Sequence, residues 1–175
     1  MELLDVCPLE TWVSLENDIY ERSGLNASVY DTAGIRINGH HRWPNQLCPE
    51  IKATSKGQSF ICATAHMNIA IMAKESRAAV IEECDAGMLK LVVPIFVQDQ
   101  FIGSAGGCGL LLDEGEVDSF LVNKITDIEE QRVESLARGI PALTMEKAQE
   151  LAQFIQRRID AIVQACAPGT KEAGA

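Results

Sequence analysis

The sequence has no long apolar run, no excess of positive charge and no common catalytic signature, and each absence removes a class of function. Its longest apolar stretches, such as "LVVPIFV" at 91–97, fall far below the roughly 18 residues that span a bilayer. Fifteen Lys and Arg stand against 25 Asp and Glu, a net charge of −10. The basic residues are scattered, with Arg157-Arg158 as the one tight pair. Phosphate binding needs clustered cations, so nucleic acid is not an expected partner. The start, "MELLDVCPLETW", lacks the basic residues and apolar core of a signal peptide. The expected location is therefore cytoplasmic, with no membrane partner. There is no G-x-x-x-x-G-K-[ST], no H-E-x-x-H, no G-x-S-x-G and no C-x-x-C. No enzyme activity is expected.

What remains is an ordinary globular composition. The chain has 175 residues, 47% apolar and 23% charged. That length fits one domain, able to bury about two-thirds of its unfolded surface.

Periodicity and breakers divide it. Residues 8–23 read as a helix opened by Pro8 and closed by Gly24. "NASVYDTAGIRING" reads as a β-hairpin turning at 31–34. Residues 44–56 read as a helix stopped by Gly57, and 61–76 as a second. Residues 78–83, 90–97 and 101–112 read as strands, with Pro94 marking an edge or a bulge. A short helix at 127–138 follows the acidic turn "DEGEVD", which lacks calcium-loop spacing. From 144 to 167, Leu151, Ile155, Ile159, Ile162 and Cys166 recur 4, 4, 3 and 4 residues apart and make one apolar stripe. The tail "PGTKEAGA" is expected to fray. The sum is α+β: an antiparallel sheet flanked by helices, PAS/GAF-like by analogy, with a long C-terminal helix. Residues 1–143 form the domain, and 144–175 add the helix and tail of the same unit.

Six cysteines are present. In a reducing compartment a disulfide network is not expected, and Cys7 and Cys166 read as packing residues. Cys48, Cys62, Cys84 and Cys108 each lie near the start, end or bend of an element. Four thiolates would suit zinc or an iron–sulfur cluster. Free cysteine also packs as a small hydrophobe, and the gaps of 13, 21 and 23 residues do not show convergence. Cys48, in the first turn of a helix, is placed where the helix dipole lowers a thiol pKa. His66 follows Cys62 by four residues, on the same helical face. Trp43, held extended by Pro44, either closes a pocket or packs. "FIGSAGGCGLLL" at 101–112 puts Gly103, Gly106, Gly107 and Gly109 around Cys108. Either a ligand approaches the backbone there or the strand bends.

In order, "LCPEI", "SFICATAHMNIA" and "ECDAGMLKLVVPIFVQDQFIGSAGGCG" resemble the core of the PocR-type sensory domain, a family named for the regulator of propanediol utilisation. The matching positions are Cys48, Cys62 with His66, Cys84-Asp85-Ala86-Gly87-Met88, Pro94-Ile95 and Ile102-Gly103. Asp85 departs from the pattern, in which a histidine is common. The resemblance implies a PAS/GAF-like sensor whose pocket holds a small molecule or a metal. It implies a ligand pocket at Cys48, Cys62, His66, Cys84, Asp85 and Gly87, lined by the strand glycines Gly103, Gly106 and Gly107. Cys108, which this chain adds, is expected to point at it and Trp43 to close it, and the four cysteines are the candidate thiol ligands of a zinc or iron–sulfur centre. No output domain is expected. A stand-alone sensor acting on a separate signalling partner, or pairing as a homodimer through its C-terminal stripe, is the expectation. The alternatives are a thiol-dependent redox or transfer enzyme, or a regulatory subunit working through that helix.

Overall fold

The computed structural model describes residues 1–166; the expected frayed tail lies outside them. The chain begins with a short helix α1 (Leu3–Val6) and α2 (Leu9–Ser23), which ends at Gly24 in the left-handed conformation, φ 74°. Glycine adopts that φ without the steric penalty of a β-carbon, which is why the helix stops there. Strand β1 (Asn26–Tyr30) follows. The expected hairpin is only begun. Asp31 accepts from the backbone N–H groups of Ala33 and Ile35, and a single bridge joins Tyr30 to Arg36. Residues 35–37 form no strand.

Helix α3 (Leu47–Ala53) is shorter than expected. Gly57 does not stop a helix. It begins a π-helix, Gly57–Ala63, that runs directly into α4 (Thr64–Ser76). A β-carbon on Gly57 would lie 2.2 Å from the Ile51 carbonyl oxygen, so only glycine lets α3 and the π-helix fold this closely together. Then come β2 (Val80–Glu83), β3 (Leu89–Val97) and β4 (Gln100–Cys108). The four strands form one antiparallel sheet in the order β1-β4-β3-β2. Pro94 lies in an inner strand, not at a sheet edge. β2 begins opposite Val92, so past that residue the outer side of β3 faces no strand and the missing N–H is not needed. A register shift follows between Ile95 and Phe96.

Beyond β4, β5 (Leu111–Leu112) pairs in parallel with β6 (Ala142–Leu143). Between them are α5 (Ser119–Thr126) and α6 (Glu130–Ala137). The acidic turn is structural: Asp118 accepts from Leu121 N–H to cap α5, and Asp113 accepts from Met145 N–H. Helix α7 (Met145–Cys166) closes the described chain.

Alternation along β3 organises the core. Leu89, Leu91, Val93, Ile95 and Val97 join Trp12, Leu15 and Ile19 of α2 and Leu151, Ile155, Ile159 and Ile162 of α7 in one buried cluster. The α7 stripe is therefore consumed within this chain and is not free to pair two subunits. Its last member corrects a second expectation: Cys166 is bonded to Cys7, tying the end of α7 to the segment between α1 and α2 across 159 residues. The opposite face of the sheet carries α4. A second apolar cluster, with Leu47, Ile51, Ile61, Met88, Val122 and Val133, packs α3, the π-helix, α5 and α6 together.

Candidate functional site

Between the α4 face of the sheet, the π-helix and the 33–45 loop lies a partly enclosed cavity of about 540 Å³. That is within the usual range for small-molecule sites, roughly 300–1,000 Å³.

The floor comes from the sheet. Register places Asn26, Cys108 and Lys90 side by side across β1, β4 and β3, and all three line the cavity. One rim is set by Asn45. Its side-chain oxygen accepts from the N–H groups of Leu47 and Cys48, and its amide donates to the Gly109 carbonyl at 2.6 Å. This fixes the first turn of α3 against the end of β4 and holds Cys48, whose sulfur lies 3.6 Å from the Met88 sulfur. Cys62 projects from the π-helix. The i→i+5 pattern is rare and recurs at functional sites. Cys84 and Met88 are brought together by a tight turn, with Gly87 N–H donating to the Cys84 carbonyl and Cys84 N–H to the Met88 carbonyl.

The remaining wall is aromatic and cationic. His66 stacks on Tyr30 with ring centroids 3.6 Å apart, and His41 stacks on Trp43 at 4.5 Å. The Arg36 guanidinium ties the loop down. It donates to the carbonyls of His40 and Ala27, to the side chains of Asn26 and Ser28, and approaches His41 Nδ1 at 2.8 Å. Its Nε and both ring nitrogens of His66 are buried without a partner. Burial, with the nearby cations Lys90, Arg36 and Lys52, pushes His66 down to about 3. Burial, Arg36 and Lys52 push His41 down to about 4. Both imidazoles are neutral at neutral pH.

The thiols move the other way. Burial pushes the pKa of Cys48 and Cys84 up, and that of Cys62 up to about 11. The lowering expected at the start of α3 does not occur, because burial outweighs the end of a seven-residue helix.

Of the residues singled out in the sequence, Cys48, Cys62, Cys84, Cys108, His66 and Trp43 converge on this cavity. Asp85 is exposed and outside the lining. Gly87 lies outside it too; its φ of 82° makes the Cys84–Met88 turn, and a β-carbon there would meet the Glu116 carbonyl oxygen at 2.3 Å. Gly103, Gly106 and Gly107 also lie elsewhere. Their missing β-carbons leave room for Leu3 and the Tyr30 carbonyl, for the Leu91 carbonyl, and for Leu25. The glycines of β4 thus serve close packing within the sheet and its core face, and only Gly109 reaches the cavity. Among the described residues, no group of three or more His, Cys, Asp or Glu side chains is placed to hold a metal ion. Sequence reasoning missed Lys90, Tyr30 and Arg36. Lys90 was signalled by a lone charge inside the apolar run "MLKLVV".

The antiparallel sheet thus carries a cavity on one face and a closed core on the other. The family model described as the sensory domain found in PocR matches residues 5–167. The chain belongs to that family, whose members are ligand-binding sensors. No curated protein and no solved structure matches it. No helix among the described residues is long and apolar enough to cross a membrane.

Proposed function

We propose that the chain senses a small organic molecule held in this cavity. One observation carries the reading: the family's core segments, with Cys48, Cys62, His66 and Cys84, all face a single cavity of about 540 Å³, and Cys108 joins them. Trp43, 36% exposed and stacked on His41, stands at the rim where an arriving ligand would touch it. The 33–45 loop, tied down by the side chains of Arg36, Asn38, Arg42 and Asn45, is the element that occupancy would reorder and a separate signalling partner would read.

A second reading, a zinc or iron–sulfur centre, is favoured by the same convergence of four free thiols. It requires thiolates; in the metal-free protein burial holds at least three of these groups protonated, and a bound metal would displace those protons. The same protonation weakens a thiol-dependent enzyme, since the thiolate is the nucleophile.

Anaerobic purification followed by metal and sulfide analysis separates the two. Metal-free, colourless protein whose tryptophan emission changes with a small organic compound supports the first. Brown protein with iron and sulfide, lost on Cys108→Ser, replaces it with the second.

A further inference from the structure

The charges around the cavity are unbalanced. Lys90 rises from an inner strand of the sheet and is 7% exposed, with its ammonium 5.5 Å from the Tyr30 ring centre. Among the described residues no Asp or Glu lines the cavity, although acids outnumber bases 25 to 15 in the chain. The ion pairs among the described residues join Lys56 to Asp127, Arg77 to Asp99, Arg132 to Glu50 and Arg158 to Asp18, all away from it. Glu82, the cross-strand neighbour of Lys90 on β2, is exposed and takes part in none of them. Arg36 and Lys52 add positive charge to the same lining, also without a carboxylate. His66, 3% exposed, leaves both ring nitrogens unpartnered beside them.

An unpaired buried charge is costly, so it persists where something else supplies the opposite charge. Here the side chains nearest Lys90 are a phenol and thiols, and no carboxylate is among them. Burial opposes the ammonium, while Tyr30, Cys108, Cys84 and Cys62 hold it above its ordinary range. Neutral His66 has one ring N–H to donate.

We infer that the cavity selects an organic anion, a compact carboxylate or phosphate monoester, with its charged group beside Lys90 and His66 and its apolar body against Trp43, Ile61 and Met88. The inference rests on the cavity being the sensor's binding site. It adds that charge, not shape alone, defines the ligand. Hydrogen bonds to a buried charge discriminate strongly against an uncharged analogue.

Calorimetric titration of the whole chain with benzoate and phenyl phosphate, against benzyl alcohol and benzamide as uncharged matches, tests it. The anions are expected to bind at least tenfold more tightly than their matches. The ratio of benzoate to phenyl phosphate tells carboxylate from phosphate. Lys90→Met is expected to erase the preference and to raise the Tm of the unliganded protein; Lys90→Arg is expected to retain it. Equal binding of charged and uncharged compounds, or a preference that survives Lys90→Met, overturns the anion inference and leaves the cavity reading standing. No binding of any of the four overturns both. If Lys90→Met does not fold, the wild-type preference decides alone.

Discussion

The two faces of the sheet share strands and differ in almost everything else. On the α2/α7 face, β3 presents five apolar side chains, each no more than 3% exposed, to a closed core. On the α4 face the same strand presents Lys90, and its neighbours add Asn26, Ser28 and Ser104 as buried polar groups. Adjacent residues in a strand point to opposite sides. One strand can therefore hold Leu91 in the core and Lys90 in a cavity. The dry face supplies stability, and the wet face gives up some of it to keep unsatisfied groups ready for a ligand.

The two tryptophans test that division most sharply. Trp12 is fully buried and donates its indole N–H to the Leu3 carbonyl at 3.1 Å. Trp12→Ala is expected to cost about 3–5 kcal/mol, enough to unfold a marginal domain. Trp43→Ala removes a half-covered ring and is expected to change stability by less than about 1 kcal/mol while weakening ligand binding. Urea unfolding and calorimetry read the two effects separately. If Trp43→Ala destabilises as much as Trp12→Ala, the cavity rim is part of the core and the comparison breaks.

The disulfide comes next in size. Cys7–Cys166 lies on the closed face and spans 159 residues. In the chain-entropy picture its loss costs about 2–5 kcal/mol. Dithiothreitol is expected to lower Tm and leave ligand affinity unchanged, and denatured, unreduced protein to show four free thiols. Six free thiols, or a Tm indifferent to reductant, would remove the staple from the closed face.

Much of this division can be read from the sequence, because local rules govern it. Pro8 and Gly24 bound α2, and the α7 stripe shows its buried face. The strands fall in the expected order, because alternation and turn residues act over a few positions. Contacts set by the folded chain could not be read. Nothing in "GQSFICA" marks a π-helix, since it depends on Gly57 closing against Ile51. The stripe's partner could not be read either, because a helix face does not state whether it packs inward or pairs. The Cys7–Cys166 pair lies beyond any local rule. Helix α5 could have been found, since Asp118 precedes "SFLVNKIT" as an N-cap. The convergence of the thiols depends on four separate elements, α3, the π-helix, the turn after β2 and the end of β4, brought together by tertiary contacts. The glycines of β4 had two readings, ligand approach or local strand geometry. Three of the four are required by contacts within the sheet and its core face.

The last effect lies on the wet face and has a sign that can be worked out. His66 titrates near 6.5 when unfolded and near 3 when folded. Between those values the unfolded chain binds a proton that the folded chain does not. The stabilising contribution is whole above about 6.5 and is lost as pH falls toward 3. The slope reaches about 1.4 kcal/mol per pH unit for one proton. His41, lowered to about 4, acts in the same direction, with a smaller share because it is more exposed. His66→Leu keeps the ring position apolar and removes two unpartnered nitrogens. Its urea midpoint is therefore expected to match or exceed wild type at pH 7, and to fall less steeply between pH 6 and pH 4. Parallel curves for the two proteins would mean that His66 is already solvated or partnered in the folded state. The α4 face would then be as well satisfied as the closed one.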